Sequence, residues 1–286
     1  MSSPPLERSL LANGLNHHVL VWNESAPTTV VCCHGFLDQA WSYDGFAQRL
    51  VAEGFRVVAF DWRGHGQTDH VGAGGYYHFA DYVLDLHELM PVLASGEMHL
   101  VGHSMGGTVS ALYTATHPGV VKTLTLIEGL GPPAHTSHPA DKMRAWIDSV
   151  DRHRRRPPRG LEDLSDAVMR MRSQNTEISM ELAYFLCEKA TVDTDAGLAW
   201  RFDGLHRTTS PSLFSAENFS LFLARIGAPT LVVTGSRGFT TSDHAKRVAA
   251  LPNGRESIVE DVGHMIHQLA PDALADLVLA HVGSAR

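Results

Sequence analysis

Residues 99–110, His99-Leu100-Val101-Gly102-His103-Ser104-Met105-Gly106-Gly107-Thr108-Val109-Ser110, decide the fold of this chain. An apolar run ends at Val101, a serine stands between two glycines, and a helical pattern begins at Gly107. This is G-x-S-x-G in the setting where it carries chemistry: strand, sharp turn, helix. The turn lifts the Ser104 hydroxyl above the strand end. Gly102 and Gly106 remove side chains that would collide with neighbouring backbone. The following helix aims free N–H groups at the place where negative charge develops in acyl chemistry.

Working outward, further short apolar runs occur at Val30-Val31-Cys32-Cys33, Arg56-Val57-Val58-Ala59-Phe60, Leu124-Thr125-Leu126-Ile127, Thr230-Leu231-Val232-Val233 and Ser257-Ile258-Val259. Continuous runs of this kind suit parallel strands covered on both faces. Helical patterns lie between them, at 41–53, 77–95, 106–117, 243–251 and 271–281. The alternation predicts an α/β protein with a mostly parallel, doubly wound sheet. His17 to Trp22 reads as an early antiparallel strand.

The rhythm breaks between 131 and 215, from Gly131-Pro132-Pro133 to just past Ser210-Pro211-Ser212. That interior reads as helices only, at 139–152, 161–172 and 176–190. The expected organisation is a core of 1–130 and 216–286 with an inserted helical cap of 131–215 over the strand ends. Trp146, Met169, Tyr184, Phe185 and Leu186 are its candidate pocket residues; the alternative is that they only pack the cap onto the core. The basic run Arg152-His153-Arg154-Arg155-Arg156, with Arg159, reads as a solvated helix end, or else as a collar for an anionic substrate.

A serine needs a base. Ser257-Ile258-Val259-Glu260-Asp261-Val262-Gly263-His264 supplies one after the last strand, with Gly263 expected to allow the tight turn that aims His264 back. The oxyanion hole needs two N–H donors. One is expected from Met105, just after the nucleophile, and the other from Phe36 in His34-Gly35-Phe36-Leu37-Asp38. The segment Asp61-Trp62-Arg63-Gly64-His65-Gly66-Gln67-Thr68-Asp69 reads as a loop fixed by its own hydrogen bonds.

Three acids compete to orient His264. Glu128 directly follows a strand and stands at the edge where the other groups converge. Asp243 is placed to cap the helix after it. Asp261 is tied to His264 by too short a loop. The expected set is Ser104, His264 and Glu128.

His34-Gly35, Asp61-x-Arg63-Gly64-x-Gly66, Gly102-x-Ser104-x-Gly106 and Gly263-His264 together resemble the α/β-hydrolase superfamily over nearly the whole chain. His34 to Asp38 with Trp41-Ser42, Tyr76-Tyr77-x-Phe79 and Gly197 to Asp203 look like its serine hydrolase-like proteins. The resemblance implies a core sheet, a variable helical cap and no cofactor. It also implies an acid in a Gly-x-x-Asp pattern, but this chain reads Gly235-Ser236-Arg237-Gly238 there. Relatives such as haloalkane dehalogenases place a carboxylate after strand 6, where Glu128 stands.

The formal charge of −8, without an acidic block, argues against nucleic acid or an anionic membrane as partner. No apolar run reaches the roughly 20 residues of a membrane span. The start lacks a secretory pattern, and three cysteines, two of them adjacent, do not suit a disulfide framework. A cytoplasmic protein with reduced thiols is the expectation. The 18 histidines show no zinc-helix spacing, so no metal is expected. The expected activity is that of a serine hydrolase of the carboxylic ester class (EC 3.1), acting on a small-molecule acyl substrate through an acyl-enzyme on Ser104. Thioesters, lactones, amides, C–C bonds beside a carbonyl and acyl transfer stay open on the same residues. A non-enzymatic ligand binder is the alternative from another class. Dehalogenase and epoxide hydrolase chemistry are disfavoured, since those relatives carry a carboxylate where Ser104 stands.

Overall fold

The computed structural model describes residues 4–134, 137–155 and 160–285. In chain order it contains β1 (Leu6–Ala12), β2 (Leu15–Trp22), β3 (Thr28–Cys33), α1 (Asp44–Ala52), β4 (Arg56–Phe60), α2 (Phe79–Leu93), β5 (Glu97–His103), α3 (Met105–Thr116) and β6 (Thr123–Ile127). Then come α4 (Pro139–Arg155), α5 (Leu164–Gln174), α6 (Met180–Ala190), the hairpin β7 (Thr191–Thr194) and β8 (Gly197–Trp200), and a 3-10 turn at Gly204–Arg207. The chain closes with α7 (Ala216–Leu223), β9 (Thr230–Gly235), α8 (His244–Ala249), β10 (Gly254–Val259), α9 (Ile266–Leu269) and α10 (Pro271–Gly283).

Eight strands form one sheet in the order β1-β2-β4-β3-β5-β6-β9-β10. Only β1–β2 and β2–β4 are antiparallel pairs; the other five are parallel. The central runs are apolar throughout because both faces are covered. Val30 and Cys32 enter one core with Phe46 and Leu50 of α1 and Leu274 and Val278 of α10. Val31 and Cys33 point the other way, into a core with Leu86 and Leu89 of α2, Val109 of α3 and Leu223 of α7. A strand with period 2 serves both layers only if every position is apolar. The three cysteines are free and buried in these layers.

Two elements depart from the sequence reading. The segment between β6 and β9 is not helical only, since it includes the β7–β8 hairpin, and Leu161 bridges to Leu198 of β8. Its four-residue strands are too short for a period to show. β1 carries mixed polarity on the sheet edge, with Leu11 exposed, which is why no apolar pattern announces it.

Buried polar residues fix the loops. Asp61 is 1% exposed. Its carboxylate accepts from Ala40 N at 2.6 Å and Gln67 N at 2.9 Å and meets His18 Nδ1 at 2.8 Å. Burial alone would raise its pKa, but the hydrogen bond and charge of His18 outweigh that and hold it below the usual value. A Cβ on Gly66, which sits at φ +49°, would overlap this carboxylate. Within the Asp61–Asp69 loop, Gly64 N also donates to Asp69 O and Thr68 N to His65 O, each at 3.0 Å, so the loop is held by internal bonds, as read from sequence, and anchored outward at His18 and Ala40.

The segment between β6 and β9 is clamped onto this loop. Asp203 N donates to Gly64 O at 2.8 Å, and Tyr77 OH donates to Asp203 Oδ2 at 2.7 Å. His206 lies 3.9 Å from the Tyr77 ring and 4.1 Å from that of His65. Burial lowers the pKa of His206 to about 4 and that of His65 well below its usual value. Both imidazoles are therefore neutral near neutral pH.

Two measurements check this account. Asp61→Asn keeps the size but removes the charge facing buried His18, and should lower unfolding free energy by about 3–5 kcal/mol in denaturant titration at pH 7. The deficit should shrink below the ordinary carboxylate pKa, because a depressed pKa gives stability present above the unfolded value and lost as pH falls through the folded one. His206 behaves as a buried base. Between pH 6.5 and about 4 the unfolded chain binds its proton and the folded chain does not, so stability falls as pH falls. His206→Phe, which keeps the ring stack, should flatten that slope by up to about 1.4 kcal/mol per pH unit. An unchanged slope would show that His206 titrates freely in the fold.

Candidate active site

Ser104 sits between β5 and α3 at φ 50°, ψ −114°, a strained conformation for a serine. The glycines explain how the turn is held. A Cβ on Gly102 would lie 2.7 Å from Gly106 O, and one on Gly106 would lie 2.2 Å from Cys33 O. Ser104 N donates to Ile127 O at 2.9 Å, which ties the turn to β6. Met105 is the first residue of α3, so its N–H is free of the helix ladder.

β3 ends one residue before His34, whose imidazole is wholly buried. Its Nδ1 faces Gly35 O at 2.7 Å, and its Nε2 accepts from Trp62 N at 3.0 Å. Trp62 Nε1 in turn donates to His34 O at 2.9 Å. Burial lowers its pKa, and a neutral ring matches this one-donor, one-acceptor pattern. Thus His34 buttresses the loop that presents Phe36. Among the described residues, no hydrogen bond takes up the amide of Phe36 or of Met105. Both residues line the same cavity as Ser104 and His264.

Glu128 leaves β6 at φ 49° with its carboxylate fully buried. Oε1 accepts from Gly235 N at 2.8 Å, and Oε2 accepts from Phe239 N at 2.9 Å and faces His264 Nδ1 at 3.2 Å. Gly238, where Gly-x-x-Asp relatives carry the acid, explains the vacancy: a Cβ there would lie 1.9 Å from Glu128 Oε1. A glycine and a displaced glutamate thus share one space. Asp243 is elsewhere. Its carboxylate pairs with Arg247 Nε at 2.9 Å and makes no cap bond to α8, contrary to the capping role read from sequence. Fully buried Arg247 also donates to Leu130 O, Gly131 O and Pro132 O, which fixes the chain where it leaves β6. In the His264 loop the left-handed residue is Asp261, at φ 56°, while Gly263, expected to allow the tight turn, is not left-handed.

The cavity at Ser104 has a volume of about 590 Å³. Its walls come from the 3-10 turn (Leu205, His206) and from the approach to and first turns of α2 (Tyr76, Tyr77, Phe79, Tyr82). The residues expected from sequence to line it lie elsewhere. Met169 and Tyr184 are exposed, Phe185 packs on Trp41, and Trp146 stands behind Tyr76 at 5.4 Å. None of the four lines this cavity; Leu186 lines a neighbouring one. Helical period shows which residues share a face, but neither which face turns inward nor what it touches. Arg152, Arg154 and Arg155 are exposed at the end of α4, while Arg156 and Arg159 lie outside the described residues.

Asp38, His103 and His267 form a cluster whose ligand atoms lie within 4.8 Å of one another. His267 Nε2 and Asp38 Oδ2 already satisfy each other at 3.0 Å, and His103 Nε2 meets His264 O at 3.0 Å. The His103 bond supports the His264 backbone. No helix among the described residues is long and apolar enough to cross a membrane.

A model of the alpha/beta hydrolase fold matches residues 28–160. The chain is similar to the serine hydrolase-like protein of Danio rerio, with 25% identity over 269 residues, 90% of this chain and 82% of that one. It is similar also to a putative 2-succinyl-6-hydroxy-2,4-cyclohexadiene-1-carboxylate synthase of Bacillus subtilis (strain 168), 25% identical across 94% of this chain and 95% of that one. Among solved structures, a hypothetical protein of Pseudomonas aeruginosa PAO1 superposes with a TM-score of 0.85 at 26% identity, covering 99% of this chain and 100% of that one. A thioesterase domain from the curacin biosynthetic pathway shares the fold, with a TM-score of 0.87 at 24% identity over 97% of this chain and 100% of that one. Sheet order, elbow and relatives lead to one conclusion: the chain has the α/β-hydrolase fold and resembles the serine hydrolase-like proteins.

Proposed function

We propose that this protein is a serine hydrolase that cleaves a carboxylic ester or a related acyl compound through an acyl-enzyme on Ser104. The observation that carries this reading is the Glu128 carboxylate facing His264 Nδ1 at 3.2 Å in the cavity that Ser104 lines. Ser104 Oγ attacks the carbonyl while His264 takes its proton; the amides of Phe36 and Met105 receive the oxyanion. His264 then gives the proton to the leaving group, and water releases the acyl chain by the reverse sequence. Glu128 holds the imidazole tautomer and stabilises its cation. Residues 131–215 act as a cap, and the walls that select the acyl group are Tyr76, Tyr77, Phe79 and Leu205.

The substrate handle can equally be a thioester, a lactone, an amide or a C–C bond beside a carbonyl, because the same groups serve each. A purely ligand-binding role is opposed by the strained serine, whose backbone cost a binder has no use for.

A fluorophosphonate probe should label wild-type protein at Ser104, read by intact mass and peptide mapping. Ser104→Ala should lose labelling and about 10⁴-fold or more in kcat on an ester that the wild type turns over. Retention of a tenth of the rate would refute the nucleophile. Glu128→Gln should cost about 10²- to 10⁴-fold in kcat, and Asp243→Asn far less. Gly238→Ala should follow Glu128→Gln, since its Cβ displaces the same carboxylate. The acid is misassigned if Asp243→Asn is the crippled variant.

A further inference from the structure

We infer that the substrate is two-sided, with an apolar, often aromatic acyl half and a leaving group that carries an anion, carboxylate or phosphate, bound by Arg207. This rests on the acyl-enzyme reading above and adds the substrate class.

A second cavity, of about 390 Å³, lies beside the first. The two share Phe36 and His264, so Phe36 is their partition and His264 opens to both. Ser104 lines only the first. That asymmetry assigns the halves. In the step, the bond from Ser104 Oγ to the acyl carbon forms and the bond from that carbon to the leaving oxygen or sulfur breaks. The serine proton passes through His264 to that leaving atom. The acyl group stays on Ser104 and so occupies the first cavity. The leaving atom must stand at His264, and the rest of the leaving group runs past it into the second cavity.

The linings differ as this requires. The first cavity is walled largely by aromatic and aliphatic side chains, with no lysine or arginine among its described residues. The second holds two guanidiniums, on Arg170 and Arg207. Arg170 is already paired bidentately with Asp166, at 2.9 and 2.7 Å. Arg207 has no carboxylate within ion-pair distance among the described residues, and its guanidinium lies 4.9 Å over the ring of Phe202, which lines the same cavity. The stack fixes the cation and leaves its N–H edge open to a ligand. Asp38, the acid in that wall, is turned to Ser42, His267 and Gln268, at 2.9, 3.0 and 3.4 Å. The basic end of α4 adds to the field, for His153 packs against Gly204 at the start of the Arg207 turn.

The experiment uses the full chain and one fixed acyl group, 3-phenylpropionyl. It is presented as the ester of a neutral alcohol, of a hydroxycarboxylate and of a phosphorylated alcohol. A fourth ester carries the carboxylate on the acyl half and a neutral alcohol. The readout is the ratio of kcat/KM, anionic over neutral, within each variant. Wild type should favour at least one anionic leaving group by about tenfold, the scale of one charge-assisted hydrogen bond. Arg207→Ala should bring that ratio near one, and Arg207→Glu should invert it. The free anionic alcohol should inhibit wild type competitively and Arg207→Ala about tenfold more weakly. Preference for carboxylate over phosphate, or the reverse, identifies the anion. A ratio near one in wild type, or one that Arg207 variants leave alone, overturns the inference while ester turnover keeps the underlying reading. An Arg207-dependent preference for the fourth ester overturns the assignment of halves. Absence of both turnover and Ser104 labelling removes the acyl-enzyme reading and this inference with it.

Discussion

The buried carboxylate of Glu128 is the constraint on which the arrangement depends. An anion without solvent contact is very costly unless donors surround it. Here the donors come from separate segments: Gly235 at the end of β9, Phe239 from the turn after it, and His264 from the loop after β10. One charge thus joins the ends of β6, β9 and β10 and fixes the imidazole among them. The space it fills exists because residue 238 has no side chain. Position 128 can carry the acid only with a glycine at 238, so the two residues form one structural unit although 110 positions separate them in the chain.

The same economy of neutral and charged buried groups governs the other side of the site. His34, His65 and His206 are held neutral by burial, and their rings pack rather than repel, His34 edge-on to His65 and His65 tilted against His206. They connect the loop of Phe36 to the Asp61 loop and to the turn that bears Leu205 and Arg207. The ring of Phe36 packs edge-on against His65 and His206, at 6.2 and 5.9 Å. The residue proposed to receive the oxyanion is therefore steadied by the same turn that walls both cavities. Substrate selection and oxyanion geometry share a support in this reading.

The chain itself determined a good deal. Apolar runs at Val30–Cys33, Val57–Phe60, Leu124–Ile127 and Leu231–Val233 fixed a parallel sheet, because a strand covered on both faces has no freedom to alternate. Gly102, Ser104 and Gly106 determined a strained turn, because a side chain at 102 would collide with the start of α3 and one at 106 with the end of β3. The glycine at 238 and the acid at 128 already marked Glu128 as the partner of His264, since both lie at strand ends whose order follows from the fold.

Only the tertiary structure decided what faces what. The edge strand β1 and the β7–β8 hairpin gave no periodic signal, since one is half-exposed and the other is four residues a side. Amphipathic helices between β6 and β9 showed that Trp146, Met169, Tyr184 and Phe185 had a face, but not that the cavity would be walled by Tyr76, Tyr77, Leu205 and His206 instead. The reason is physical. Helical and strand periods are local properties of backbone geometry, whereas a cavity is the gap left where elements distant in sequence meet. The cation of Arg207, which has no carboxylate partner among the described residues, belongs to that second kind, because no local pattern reveals which arginine lines a cavity.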